Sequence, residues 1–193
     1  MNDDAINLAI IIASTRKGRR GPTVARWFAG RARAHSGVGI DLIDLADTGI
    51  PAAAPDFTDE PPETVRALGE RLARAEAFAV VTPEYNHSFP ASLKTMIDWY
   101  HAEWRAKPVG FVSYGGLAGG LRAVEHLRQV FAELHATTVR DTVSFHNVDE
   151  RFGDDGEPTD PEGCNAAAKV LLDQLVWWGR ALRDARAERP YAV

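Results

Sequence analysis

Apolar positions along this chain switch between two spacings. Residues 5–12 (AINLAIII) form a short run rich in β-branched side chains, as in a strand buried on both faces. Residues 22–34 place Val24, Trp27 and Phe28 at helical spacing behind Pro22, a residue suited to a first helical turn. Residues 38–45 alternate like a strand, and 46–62, rich in Pro, Ala and Asp, read as a long surface loop. The same alternation continues with helix 62–76, strand 77–82, helix 90–104, strand 108–113, helix 119–134 and strand 137–145. A polar loop over 147–163 and a last helix over 164–187 complete the chain. Strands alternating with helices predict a parallel sheet covered by helices on both faces. Five strands in this length suit the sheet order 2-1-3-4-5, and a Rossmann-like order fits the same pattern.

In such a sheet every strand-to-helix loop lies at one edge, and the loops after strands 1, 3 and 4 are neighbours at the order 2-1-3-4-5 switch point. The chain puts its most unusual loops there. The first, residues 13–23 (ASTRKGRRGPT), carries Ser14, Thr15 and Thr23 with the cations Arg16, Lys17, Arg19 and Arg20, then opens a helix. Free backbone N–H groups, a positive helix end and guanidinium forks make an anion cradle. It has neither the Gly-Lys-Ser/Thr of a P-loop nor the GxGxxG of a dinucleotide fold. The second, residues 82–90 (TPEYNHSFP), is stiffened by two prolines, and Asn86 tolerates unusual dihedrals. The third, residues 113–120 (SYGGLAGG), is rich enough in glycine for a ligand to approach backbone closely. Each loop alone also reads as an ordinary surface connection.

The 193 residues favour one domain spanning 1–193, and 45% apolar with 25% charged residues is a globular composition. One cysteine, Cys164, rules out an internal disulfide and a thiolate-rich zinc site. The histidines form no HxH or HExxH pattern, so no metal is expected. A net charge of −5 argues against a nucleic-acid partner. The apolar run 5–13 is far too short for a membrane span, and the acidic start, Met1 to Asp4, is unlike a secretory signal. The expectation is a cytoplasmic protein with no membrane partner.

Taken together, the three loops resemble the NADPH-dependent FMN reductase family, a flavodoxin-like group that includes NAD(P)H-dependent quinone, chromate and azo reductases. Residues 82–99 (TPEYNHSFPASLKTMIDW) are similar to its Thr-Pro-Glu-Tyr-Asn…Pro…Leu-Lys…Ile-Asp-Trp signature. Ser14-Thr15-Arg16 with Gly18, Arg19 and Gly21 resembles its phosphate loop, and residues 107–128 its third segment. The likeness spans about residues 6–145. Ala13 and Ala91 stand where the family often has glycine, and residues 146–163 match nothing in it.

The resemblance implies a flavodoxin-like three-layer α/β sandwich with a five-stranded parallel sheet of order 2-1-3-4-5. It also implies an enzyme that passes hydride from NADPH or NADH through bound FMN to a small electron acceptor such as a flavin or quinone. Carried onto this chain, Ser14, Arg16 and Arg19 hold the FMN phosphate, with Thr23 nearby. Pro83, Glu84, Tyr85 and Asn86 line the flavin and ribityl chain, mainly through backbone, and the Glu84 side chain braces its loop. Ser113, Gly115 and Gly116 approach the ring edge, with the Gly115–Gly116 amides facing its developing charge. No protein group then serves as nucleophile or base, since the chemistry is the flavin's. A noncatalytic FMN-binding electron carrier or redox sensor, and a phosphate-ester hydrolase on the same fold, are the rival readings.

Two further patterns bear on assembly. Lys94 and Asp98 stand four apart in the lysine-first order, the weaker one for an intrahelical pair, and their place in the motif that resembles the family's implies a partner elsewhere, across a subunit interface. Trp99 and Trp104 extend an aromatic patch on that helix, with Tyr100 expected against the sheet. A homodimer or homotetramer built largely on this helix and the next follows. On the last helix Trp177 and Trp178 face different sides, and Arg180, Arg183 and Arg186 read as a solvated basic stripe.

Overall fold

A computed structural model of the chain describes residues 5–52 and 60–192. The acidic start and residues 53–59 of the expected 46–62 loop lie outside them. Five parallel strands, β1 (Ile6–Ile12), β2 (Val38–Asp44), β3 (Ala77–Pro83), β4 (Pro108–Tyr114) and β5 (Thr137–Phe145), form one sheet of order β2-β1-β3-β4-β5. The Rossmann-like alternative is thereby removed.

The continuous apolar run of β1 divides by the strand's period of two. Ile6, Leu8, Ile10 and Ile12 enter a core shared with Trp27, Phe28, Leu171 and Leu175. Ala9, Ile11 and Ala13 enter a second core with Leu68, Leu72, Leu93 and Phe131 on the other face. Helices α1 (Gly21–Ala34) and α5 (Pro161–Glu188) build the first layer; α2 (Glu63–Arg74), α3 (Ala91–Asp98) and α4 (Leu121–Glu133) build the second. β3 and β4 are buried at every position, as central strands covered on both faces must be.

Four expectations need correction. The helix expected over 90–104 ends at Asp98, and the chain turns so that Trp104 enters the core beside Phe78 and Phe131. Trp104 is fully buried and its indole N–H donates to the Tyr100 carbonyl at 3.0 Å. It therefore belongs to the interior and not to an interface. Lys94 meets the Asp98 carboxylate at 2.7 and 2.8 Å on its own helix, so neither needs a partner elsewhere. Arg183 and Arg186 are not solvated: Arg183 reaches Glu76 at 3.6 Å and Arg186 donates to the Ala106 carbonyl, tying α5 to strand ends. The last helix also begins earlier than expected, at Pro161, because Asp160 caps it by accepting from the Gly163 amide at 3.1 Å.

Candidate functional site

The carboxyl ends of β1, β3, β4 and β5 converge on one cleft of about 470 Å³, within the range of about 300–1,000 Å³ typical of small-molecule sites. Ser14, just past the end of β1, is fully buried outside the cleft's lining, and Tyr114, which does line the cleft, donates its hydroxyl to Ser14 Oγ at 3.1 Å. Burial pushes the Tyr114 phenol well above its ordinary value, so it remains a donor. α1 starts directly behind this pair. A Cβ on Gly21 would lie 2.6 Å from Ser14 Oγ and 2.9 Å from both Ile12 Cγ2 and the Tyr114 hydroxyl. Only glycine lets the helix end approach so closely. No side-chain hydrogen bond caps α1, and Pro22 occupies its first turn, so its positive end is directed at the loop.

The cations of this loop have separate tasks. Arg19 donates to both Asp44 oxygens at 2.6 and 2.8 Å and to the Ser14 carbonyl at 2.7 Å. Its hydrogen bonds to Asp44 outweigh burial and raise the guanidinium above its ordinary value. Arg19 thus braces the loop against the end of β2. Arg20 pairs with Asp149 at 2.7 Å. Arg16 lies over the Tyr85 ring at 5.0 Å, and Arg16 and Lys17 have no carboxylate partner among the described residues. Thr23 lies apart, in a neighbouring cleft with Arg26, Trp27 and Phe152.

The β3–α3 loop is a tight turn. Tyr85 and Ser88 exchange both backbone hydrogen bonds, at 2.8 and 3.1 Å, around Asn86 and His87 at φ of 48° and 74°. Two successive positive φ values are what a type I′ turn demands, and Asn accepts them at small cost. Pro83, Glu84 and Tyr85 line the cleft, whereas Asn86 sits at the turn's tip outside the lining. The amides of Glu84 and Tyr85 are committed to Tyr114 and Ser88 carbonyls. What this loop offers a ligand is therefore shape and side chain more than backbone donors. Glu84 pairs through Oε1 with Arg122 at 3.0 Å, as a brace should, while its Oε2 is buried with no partner among the described residues.

In the glycine-rich loop, Ser113 is buried and donates to the Gly119 carbonyl at 2.8 Å, holding the loop from beneath instead of facing the cleft. Gly120 has φ +85°, and a Cβ there would sit 2.7 Å from Ser113 Cβ. Gly115 and Gly116 do line the cleft, but the Gly115 amide is committed to the Phe145 carbonyl at 3.1 Å. That leaves Gly116, whose Cβ direction is open, as the amide able to meet a ligand. The far wall, Asn147 to Glu150, was invisible to motif reading. These residues reach the cleft because β5 ends beside β4, and the Asn147 and Val148 amides donate to the Gly116 and Gly115 carbonyls at 3.0 Å each. Of the two alanines in family glycine positions, Ala13 is buried in the core and Ala91 lines a separate small cleft, so neither narrows this one.

The FMN implied by the resemblance fits these residues. An unpartnered carboxylate oxygen nearly out of reach of water costs free energy until it meets a donor, and a flavin carries a ring N–H. Arg16, Lys17 and the α1 end supply the positive field a phosphate needs.

Known proteins resemble this chain in sequence and in fold. The family model described as NADPH-dependent FMN reductase matches residues 6–150. A Burkholderia sp 2-hydroxy-1,4-benzoquinone reductase is 28% identical over 188 residues, covering 94% of this chain and 99% of that one. The Escherichia coli K12 quinone reductase is 36% identical over 140 residues, 69% of this chain and 73% of its own. Among solved structures, the Paracoccus denitrificans flavoenzyme NAD(P)H:(acceptor) oxidoreductase FerB superposes with a TM-score of 0.75 at 22% identity, covering 92% and 98% of the two chains. With three motif loops around one cleft and a family match over most of its length, the chain belongs to the NADPH-dependent FMN reductase family.

Proposed function

We propose that this family member holds FMN in the cleft between the 13–23, 83–88 and 113–120 loops and uses NAD(P)H to reduce a quinone-type acceptor. The unpartnered, buried Oε2 of Glu84, a residue that lines the cleft, carries the reading. FMN, when bound, supplies the two-electron chemistry. The residues supply the rest. Arg16 and Lys17 neutralise the phosphate beside the α1 end, with Ser14 and Arg19 fixing the loop that presents them. Glu84 accepts from the ring N–H, and the Gly116 amide faces the ring edge where negative charge develops, without reorganising. Pro83 and Tyr85 shape the wall, leaving the opposite side for nicotinamide and then acceptor in alternation. Quinone reductases among the relatives support a quinone-type acceptor. A cytoplasmic homodimer is part of the same reading.

The test is spectroscopic. Purified protein offered FMN retains it at near one equivalent. The bound flavin bleaches on anaerobic addition of NADPH or NADH, and its colour returns when benzoquinone is added. Retention of FMN with no bleaching would favour the electron-carrier reading; no retention would remove the flavin assignment.

A further inference from the structure

A second cleft, of about 430 Å³, opens at the opposite edge of the sheet, where β4 begins. Its size is that of a small-molecule site. Part of its wall is apolar. Ala73 comes from the last turn of α2, Ala102 from the segment after α3, and Pro190 and Tyr191 from the chain beyond α5. The Tyr191 hydroxyl lies 3.1 Å from His135 Nδ1, which holds the ring in place.

The rest of the wall carries positive charge. Lys107 is 6% exposed and donates to the Leu72 and Ala73 carbonyls at 3.0 Å each, with the Phe78 ring 5.5 Å away in the core. Arg186, half-buried, donates to the Ala106 carbonyl. Capping the end of α2 accounts for the placement of Lys107, but not for a second cation beside it. Among the described residues neither Lys107 nor Arg186 is paired with a carboxylate. Carbonyls satisfy donors but bring no net charge, so two cations are drawn from water uncompensated. Burial first, and then Arg186, lower the pKa of Lys107 to about 8, while Glu103 and Glu76 pull the other way. Burial also lowers the Arg186 guanidinium, opposed by Glu76 and helped by Arg183. Arg105, on the same wall, has an interaction of its own within the chain.

An apolar wall beside a few convergent charged groups with displaced pKa values is the usual form of a binding site. An anion would compensate both cations. Glu103, which also lines the cleft, disfavours a second negative charge on it. The volume and the apolar wall call for a body larger than an inorganic ion.

We propose that this cleft binds a small aromatic carboxylate, at a site separate from the flavin cleft. The carboxylate lies between Lys107 and Arg186, and the ring rests on Ala102, Pro190 and Tyr191. Such a site is independent of whether the chain holds FMN.

The experiment is fluorine NMR of 4-fluorobenzoate titrated into the full chain, with and without excess FMN, and circular dichroism to verify folding. Saturable binding near one equivalent is expected, equal in both samples. Arg186→Gln should weaken it by about 10–100-fold, the loss of a hydrogen bond between charged groups. Ala102→Leu, at an exposed position, fills the cleft without touching the cations and should abolish it. The neutral isostere 4-fluorobenzamide should not bind, and inorganic phosphate should not displace the probe. Absence of saturable binding overturns the site, as does binding that survives both Arg186→Gln and Ala102→Leu. Binding that excess FMN displaces would put the probe in the flavin cleft and overturn the second site. Displacement by phosphate, or equal binding of the benzamide, would overturn the carboxylate assignment.

Discussion

Gly21 tests whether the start of α1 is held where the structure places it. In Gly21→Ala the new methyl would meet Ser14 Oγ at 2.6 Å, and Ile12 Cγ2 and the Tyr114 hydroxyl at 2.9 Å. All three neighbours are buried on strand ends, so none swings aside freely. Overpacking of this kind costs about 1–3 kcal/mol. Reduced freedom of the unfolded chain returns about 0.4–1 kcal/mol. The net loss expected is about 1–2 kcal/mol, which for a chain of this size lowers Tm by roughly 2–8 °C. Relief comes by shifting the helix end off the Ser14–Tyr114 pair, so FMN affinity falls about tenfold, equivalent to about 1.4 kcal/mol. Gly116→Ala is the matched control. Its methyl meets nothing within 4 Å at a residue that lines the cleft, so stability should hold while FMN binding weakens. Thermal melts with FMN titrations on both variants decide it. A Gly21→Ala protein with unchanged Tm and unchanged FMN affinity would refute the close approach of α1 to the Ser14–Tyr114 pair.

Glu84→Gln replaces the unpartnered acceptor by an amide that must turn one donor inward. FMN titration should show binding weakened by about 10–100-fold, the loss of a hydrogen bond to a charged group. Lys107 is 6% exposed and donates to the Leu72 and Ala73 carbonyls at 3.0 Å each. Burial lowers its pKa to about 8. A lysine depressed below its unfolded value of about 10.4 leaves the unfolded chain holding more protons between the two values. Wild-type stability should therefore rise as pH climbs from 8 towards 10, by up to about 3 kcal/mol at 1.36 kcal/mol per pKa unit. Urea melts of Lys107→Met should lack that slope. Trp104→Phe loses the indole donor to Tyr100 and some core volume, so urea melts should show about 1–3 kcal/mol less stability. Sedimentation should show its oligomeric state unchanged.

The layers of the fold were legible in the hydrophobic pattern, since AINLAIII divides between two cores only if helices cover both faces of the sheet, whereas the choice of strand order rested on the family resemblance. The loops were legible as a set because topology brings their ends together. Individual roles were less so. Arg19 reads like Arg16 in sequence, yet Asp44, which captures it, is 25 residues away at the end of β2. Ser113 reads as a lining residue, but the positive φ of Gly119 and Gly120 folds the loop back so that its hydroxyl is used internally. The expected helix over 90–104 carried apolar residues at helical spacing throughout. Burying Trp104 beside Phe78 requires the chain to turn after Asp98, and spacing alone does not reveal that competition.

The arginines around the cleft show how loops can form a precise site. Arg19 ties the first loop to the end of β2, and Arg20 ties it to Asp149 beyond β5. Arg122 ties α4 to Glu84 in the second loop. Each pair joins segments distant in sequence, and the Arg19–Asp44 pair is shielded enough to resist salt, with side-chain exposures of 16% and 18%. These braces limit loop ordering on binding, a cost of about 0.5–1.5 kcal/mol for each side chain otherwise immobilised. Asp44→Asn separates the two possible roles of Arg19. If Arg19 braces, one charge-assisted bond is lost, the Ser14 loop loosens, and FMN binding weakens by about tenfold, the effect of losing about 1.5 kcal/mol. If Arg19 instead grips the phosphate directly, releasing it from Asp44 strengthens that grip and FMN binds more tightly. Isothermal titration with FMN gives the sign, and tighter binding would return Arg19 to the set of direct ligands.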